Sequence, residues 1–136
     1  VKAAAASEAR SAFADIPFTR LLGVRRAFSE GGRARMVLDP RVDFGNAVGT
    51  VHGGVVLTLL DVAMASAAVS QRDFECTAVT LSISSSFIEP GRGTLAADGE
   101  VLRHDRDIAF CRAVVTDPVG RVVAHAIGSF RYIRRP

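Results

Sequence analysis

The chain has 136 residues, 49% of them hydrophobic and 23% charged, with a formal net charge of +3. That is one domain's worth of sequence with a genuine core, and it excludes a disordered or low-complexity chain. The pI near 9.5 favours an anionic ligand, but the nearest thing to a basic patch is the tail "RYIRRP", which reads as a solvated chain end and not as a nucleic-acid surface.

Taken in order, Ser7 followed by Glu8, Ala9 and Arg10 reads as an N-cap opening a short helix to about Ala14. No apolar core of a secretory signal is visible there. Pro17 starts a second short helix, "PFTRLLG", closed by Gly23, so residues 1–22 are expected as a short helical segment. "VRRAFSE" and "RARMVLD" flank Gly31-Gly32 and read as a hairpin. A loop from Pro40 to Thr50 carries Asn46 and two glycines, and one long helix is expected from about Gly53 to Ser70.

Three or four strands fill the remainder. In "VTLSISSSF", Val79, Leu81, Ile83 and Phe87 alternate with Thr80, Ser82, Ser84 and Ser86, which predicts one packed face and one polar face. "GTLAADGEVLR" and "IAFCRAVVTD" continue in kind, "DPVG" marks a tight turn, and a last strand runs from Arg121 to about Ile133. Cys76 and Cys111 have no metal-site spacing and read as buried thiols of a reducing cytoplasm. The apolar stretch Val55 to Val69 reads as too short for a membrane span and carries Asp61.

The expected class is α+β: an antiparallel sheet of about five to six strands wrapped around one long central helix. The helix is apolar nearly all round, so part of it needs a second subunit to bury it. A homodimer is the expected minimal unit, and a tetramer is expected beyond it.

Asp61 is the anomaly in that helix. At about 100° per residue it shares a stripe with Gly54, Leu57, Ala65 and Ala68, with Thr58 at its flank. An unpaired carboxylate among such neighbours is costly. Either hydrogen bonds stabilise the anion, or its pKa rises and it becomes a base or nucleophile; a structural carboxylate capping a neighbouring loop is the other reading. At the helix start, Gly53 and Gly54 permit close approach to bare N–H donors that can polarise a carbonyl. Asp61 lies two turns on, near ~10 Å along the axis. It therefore serves the same atom only if substrate spans that gap or another subunit's glycine turn faces it. His52 reads as a hydrogen-bonder fixing the turn. Asn46 reads as a turn residue or as an amide donor to a carbonyl or water.

"NAVGTVHGGVVLTLLDVA" closely resembles the signature of the hotdog-fold acyl-CoA thioesterases, in the phenylacetate-pathway (PaaI-like) branch. Asn46, Gly49, His52, Gly53, Gly54 and Asp61 all match, and the similarity runs from "PFTRLLGV" to "VVTDPVGRVVAHAIGSF". The resemblance implies hydrolysis of a small or medium acyl-CoA thioester, aryl groups included, with no metal or redox cofactor. It implies Asp61 as nucleophile or general base and the Gly53 N–H as the group polarising the thioester carbonyl. Asn46 would orient the carbonyl or the water from the opposite subunit, and Thr80 would stand near the acid, holding water. His52 and Gly54 would bind substrate, and Arg103 and Arg106 are candidate contacts for the CoA phosphates. Two departures stand out: Ser82 replaces an acidic residue common in relatives, and "RHDRD" (Arg103 to Asp107) lacks the glycine of the usual Arg-x-Gly-Arg turn.

The expected partners are an acyl-CoA substrate and further copies of the chain, with neither nucleic acid nor membrane, in the cytoplasm. A non-catalytic acyl-CoA-binding or sensing module is the alternative. A hotdog dehydratase is disfavoured by the spacing from His52 to Asp61.

Overall fold

The computed structural model describes residues 16–134; the helix expected over Ser7–Ala14 lies outside them. Helix α1 (Pro17–Leu22) begins at Pro17 and ends at Gly23, which adopts the left-handed conformation (φ 75°). Strands β1 (Arg25–Glu30) and β2 (Arg33–Leu38) follow. Gly31 and Gly32 between them both have positive φ (58° and 88°), the geometry a two-residue hairpin demands.

After a 3-10 turn (Val42–Phe44), helix α2 (Gly53–Gln71) crosses the molecule. β3 (Cys76–Phe87), β4 (Leu95–His104), β5 (Ile108–Thr116) and β6 (Val122–Arg134) then complete one antiparallel sheet in the order β1-β2-β4-β5-β6-β3.

The sheet wraps around α2. Val56, Leu59, Leu60, Ala63, Met64 and Ala67 are sealed against Leu38, Leu95, Ala97, Val115 and Phe130. The polar residues on that covered side are all bonded. Ser66 Oγ donates to Ser29 Oγ (2.8 Å), and the Gly32 N–H donates to Ser70 Oγ (3.0 Å). Helix and sheet touch most closely at Gly99, where an added Cβ would stand 2.4 Å from the Ala63 carbonyl oxygen. Only glycine fits there. By length and composition alone α2 is long and apolar enough to cross a membrane, but its packing under the sheet is that of a core helix.

The end of α2 is unusual. Asp73 and Phe74 both have positive φ (50° and 62°), a conformation that is uncommon for an aspartate and an outlier for a bulky side chain. Phe74 is held there by burial beside Val69, with the Arg26 guanidinium 5.6 Å from its ring centroid.

β3 departs from the alternation expected of it. Its register passes from Thr80↔Phe130 to Ser82↔Ser129, leaving Leu81 as a bulge. A bulge reverses which side chains face inward. Cys76 is buried and Ala78 and Ile83 pack on the core, while Val79 and Leu81 are exposed. Thr80, expected on the outer polar face with Ser82, therefore points toward α2. Nor is the apolar set of Val79, Leu81 and Phe87 packed: all three are exposed on this edge strand.

Candidate active site

One stripe of α2 escapes the sheet: Gly54, Leu57, Thr58, Asp61, Val62 and Ala65 are exposed or half-buried. Ala68, expected on the same stripe, is fully buried, and its carbonyl accepts the Tyr132 hydroxyl (2.9 Å). The stripe forms one wall of a cleft of about 580 Å³, and β3 from Thr77 to Ile83 forms the other, with α1 at its rim. The wheel that singled out Asp61 thus found the face the sheet leaves open.

Among the described residues, Asp61 is the only charged one lining this cleft. Burial raises its pKa above the ordinary carboxylate value, and a hydrogen bond from Thr80 pulls partly the other way. Thr80 Oγ1 donates to Asp61 Oδ1 at 2.5 Å. The Leu81 bulge is what permits this: inward positions run 76, 78, 80 before it and 83, 85 after it, so both Thr80 and Ile83 face the cleft. A carboxylate in an apolar cleft, held by one hydroxyl and raised in basicity, is suited to take a proton or attack a carbonyl.

The start of α2 lies at a second hollow of about 370 Å³, lined among others by Asn46, Gly53, Val56 and Phe87. His52 caps the helix: the Gly54 N–H donates to His52 Nδ1 (2.9 Å). Gly54's donor is thus engaged within the chain. Gly53's N–H has no hydrogen-bond acceptor among the described residues, so it is the bare donor of the turn. Asn46 organises its own loop. Its Oδ1 accepts from the N–H groups of Val48 (3.1 Å) and Thr50 (2.9 Å), and its Nδ2 donates to Thr50 Oγ1 (2.7 Å).

Within one chain, Gly53 and Asp61 stand about 12 Å apart along the helix axis. The structure brings Asp61 and Thr80 together, and Gly53 with His52, Gly54 and Asn46, as two separate groups.

Arg103 and Arg106 join neither group. Both belong to the β4–β5 hairpin, whose Arg106 carbonyl accepts from Arg72 Nη1 (3.1 Å) at the far end of α2. The glycine missing from "RHDRD" is not needed: Asp105 Oδ1 accepts the N–H groups of Asp107 and Ile108 (2.8 and 2.9 Å) and closes the turn. A further hollow of about 520 Å³ on the outer sheet face is lined by Asp98, Glu100 and Arg112 among others. Its carboxylates are already paired, Asp98 with Arg35 (2.7 Å) and Glu100 with Arg112, so the Asp61 cleft is the stronger site.

Residues 48–124 match the family model described as the thioesterase superfamily. A Saccharolobus solfataricus protein, named provisionally as an esterase, is 28% identical over 116 residues, covering 85% of this chain and 82% of its own. A thioesterase family protein from Silicibacter pomeroyi superposes with a TM-score of 0.87 at 25% identity, covering 96% of this chain and 98% of that one. The E. coli PaaI protein from the phenylacetic acid degradation operon superposes at 0.85 with 23% identity over 94% and 93% of the two chains, a likeness of fold.

Proposed function

The chain belongs to the thioesterase superfamily, with the hotdog fold, and from that premise we propose that it hydrolyses a small or medium acyl-CoA thioester to free acid and CoA. Family membership and the esterase name of its relative support a thioester hydrolase in general. The observation that carries the finer reading is Asp61: a carboxylate of raised pKa, bonded to Thr80, in a cleft whose other described lining residues are uncharged.

Acting as a base, Asp61 takes a proton from water while the water oxygen bonds to the thioester carbon. The carbonyl oxygen becomes an oxyanion held by the Gly53 N–H, whose partial positive charge at the helix start favours it. Collapse breaks the carbon–sulfur bond and the proton passes to the leaving thiolate. Acting as a nucleophile, Asp61 bonds to the carbonyl carbon and expels the thiolate, and water then cleaves the mixed anhydride. Single turnover in ¹⁸O-water separates the base route from a nucleophilic route in which water attacks the Asp61 carbonyl of the anhydride, since only the latter leaves ¹⁸O on Asp61 and none in the first product acid.

Two copies are needed if Gly53 and Asp61 are to meet one carbonyl. β3 is a long edge strand with Val79 and Leu81 exposed, the kind of edge that pairs with another chain. An antiparallel two-fold pairing there would set one α2 start near the partner's Asp61, and would bring Asn46 and His52 to the site. Free-thiol release from a panel of acyl-CoAs tests the activity: no hydrolysis of any overturns it, and binding without release supports the alternative of a non-catalytic acyl-CoA-binding protein. A stable, active monomer in sedimentation overturns the two-copy site.

A further inference from the structure

Two hollows adjoin at the start of α2. The one lined by Gly53 shares Asn46, Thr50, Val51 and Gly91 with a second of about 480 Å³, whose lining also includes Arg41 and Arg92. Backbone hydrogen bonds tie the junction together: the Val51 N–H donates to the Gly91 carbonyl (3.0 Å), and the His52 N–H to that of Phe44 (2.7 Å). Arg92 thus adjoins a residue bonded to the chain two positions before Gly53.

Among the described residues lining the second hollow, the only charged ones are these two cations, and neither pairs with a carboxylate among the described residues. Arg41 lies over the Phe44 ring, 4.5 Å from its centroid, and donates one N–H to the Leu21 carbonyl (2.8 Å). Those contacts fix its guanidinium and leave other donors over. The Arg92 side chain has no partner among the described residues, and the N–H groups of Arg92 and Gly93 have no acceptor there. Two guanidinium groups with bare backbone N–H groups beside them, and no acid between, make the donor set that a phosphate requires.

We propose that Arg41 and Arg92 hold the phosphate at the end of the pantetheine arm of CoA, with the thioester at Gly53. The proposal rests on the thioester-hydrolase reading for its occupant. It assigns that phosphate to other arginines than the resemblance implies, since Arg103 and Arg106 stand at the far end of α2. Extended at ~1.2 Å per bond, the roughly thirteen bonds from thioester sulfur to phosphorus span about 15 Å, about the combined width of hollows of about 370 and 480 Å³. Glu89 lines the Gly53 hollow, where the arm carries only uncharged amides. The phosphate lies far from the reacting carbon and keeps its charge throughout. Its contacts therefore act alike on ground and transition states and are read in KM.

The test places one acyl group on three carriers: pantetheine, 4′-phosphopantetheine and CoA. The readout is the ratio of kcat/KM for each phosphorylated carrier to that for pantetheine, in the wild type, Arg92→Gln and Arg41→Gln. Each substitution is expected to lower both ratios by about tenfold, through KM, the usual loss for one charge-assisted contact. The wild-type ratios are expected to fall as salt is raised. Arg41 also holds the Leu21 carbonyl, so Arg92→Gln, which removes no contact within the described chain, is the variant least exposed to folding failure. A wild type indifferent to the phosphate, or unchanged ratios in the folded variants, overturns the proposal. So does a loss confined to CoA that spares 4′-phosphopantetheine, or a preference that falls in Arg103→Gln or Arg106→Gln and not in Arg92→Gln. Calorimetric binding of 4′-phosphopantetheine itself reads the site without turnover. Binding that weakens in Arg92→Gln, with no hydrolysis of any acyl-CoA, removes the hydrolase reading and leaves the phosphate site standing; hydrolysis with binding unchanged in Arg92→Gln removes the site alone.

Discussion

Gly53→Ala separates stability from chemistry. A Cβ built on Gly53 meets nothing closer than the Phe87 ring at 3.6 Å, an ordinary contact. Gly53 is the first residue of α2 and has no positive φ. Alanine there is favoured by helix propensity and by a less disordered unfolded chain, together up to about 1 kcal/mol. The variant is therefore expected to be at least as stable as the wild type in urea or thermal denaturation. The same Cβ stands beside the bare N–H and holds a substrate carbonyl away from it. Losing such a donor costs about a hundred- to a thousandfold in kcat/KM, on the order of 2.7–4 kcal/mol at the transition state. Gly54→Ala is the contrast: its Cβ would stand 3.1 Å from His52 Nδ1, the atom that caps the helix, so stability should fall by about 1 kcal/mol. The two substitutions are measured by unfolding and by thiol release from acyl-CoA. A folded Gly53→Ala enzyme with undiminished turnover refutes the role of that backbone donor.

Thr80→Val removes the hydroxyl that holds the Asp61 carboxylate down in pKa, so the acid limb of the kcat/KM profile should move to higher pH; Thr80→Ser should restore it, and an unmoved limb in Thr80→Val contradicts the coupling. Asp61's folded-state pKa is raised, so the folded protein binds more protons than the unfolded chain between the ordinary and the raised value. Stability is lost as pH rises through that window. Asp61→Asn should thus be more stable than wild type at neutral pH, and the difference should vanish in acid, below the ordinary value of 3.8; a neutral-pH loss contradicts this. Gly99→Ala drives a Cβ into the Ala63 backbone and should cost about 3 kcal/mol, lowering Tm by roughly 10 °C.

Elements with a strong period or a turn signature were legible in the sequence. The Gly31-Gly32 hairpin, α1 from Pro17 to Gly23 and α2 with its lone acid all follow from local chemistry, and the resemblance led to Thr80. What was not legible depends on contacts distant in sequence. The Leu81 bulge is set by pairing with β6, and without it Thr80 falls on the wrong face. Gly99 looks like any strand glycine until α2 lies against it. Asn46 reads as either a turn residue or an amide donor until its loop is seen closed around it, and Arg103 and Arg106 are placed away from both site groups by a hairpin whose direction no pattern discloses. The Phe74 conformation has no local signal at all, since its cause is burial beside Val69.

The most direct test of the chemistry assigned to Asp61 is the rate of CoA thiol release by Asp61→Asn against wild type, on the acyl-CoA the wild type turns over best. The variant's fold is checked by its unfolding transition, and the amide can still accept the Thr80 hydroxyl, so the cleft is preserved while the base is lost. Removal of a general base or nucleophile predicts a fall in kcat of about 10²-fold or more. A folded Asp61→Asn protein with near wild-type turnover would contradict it.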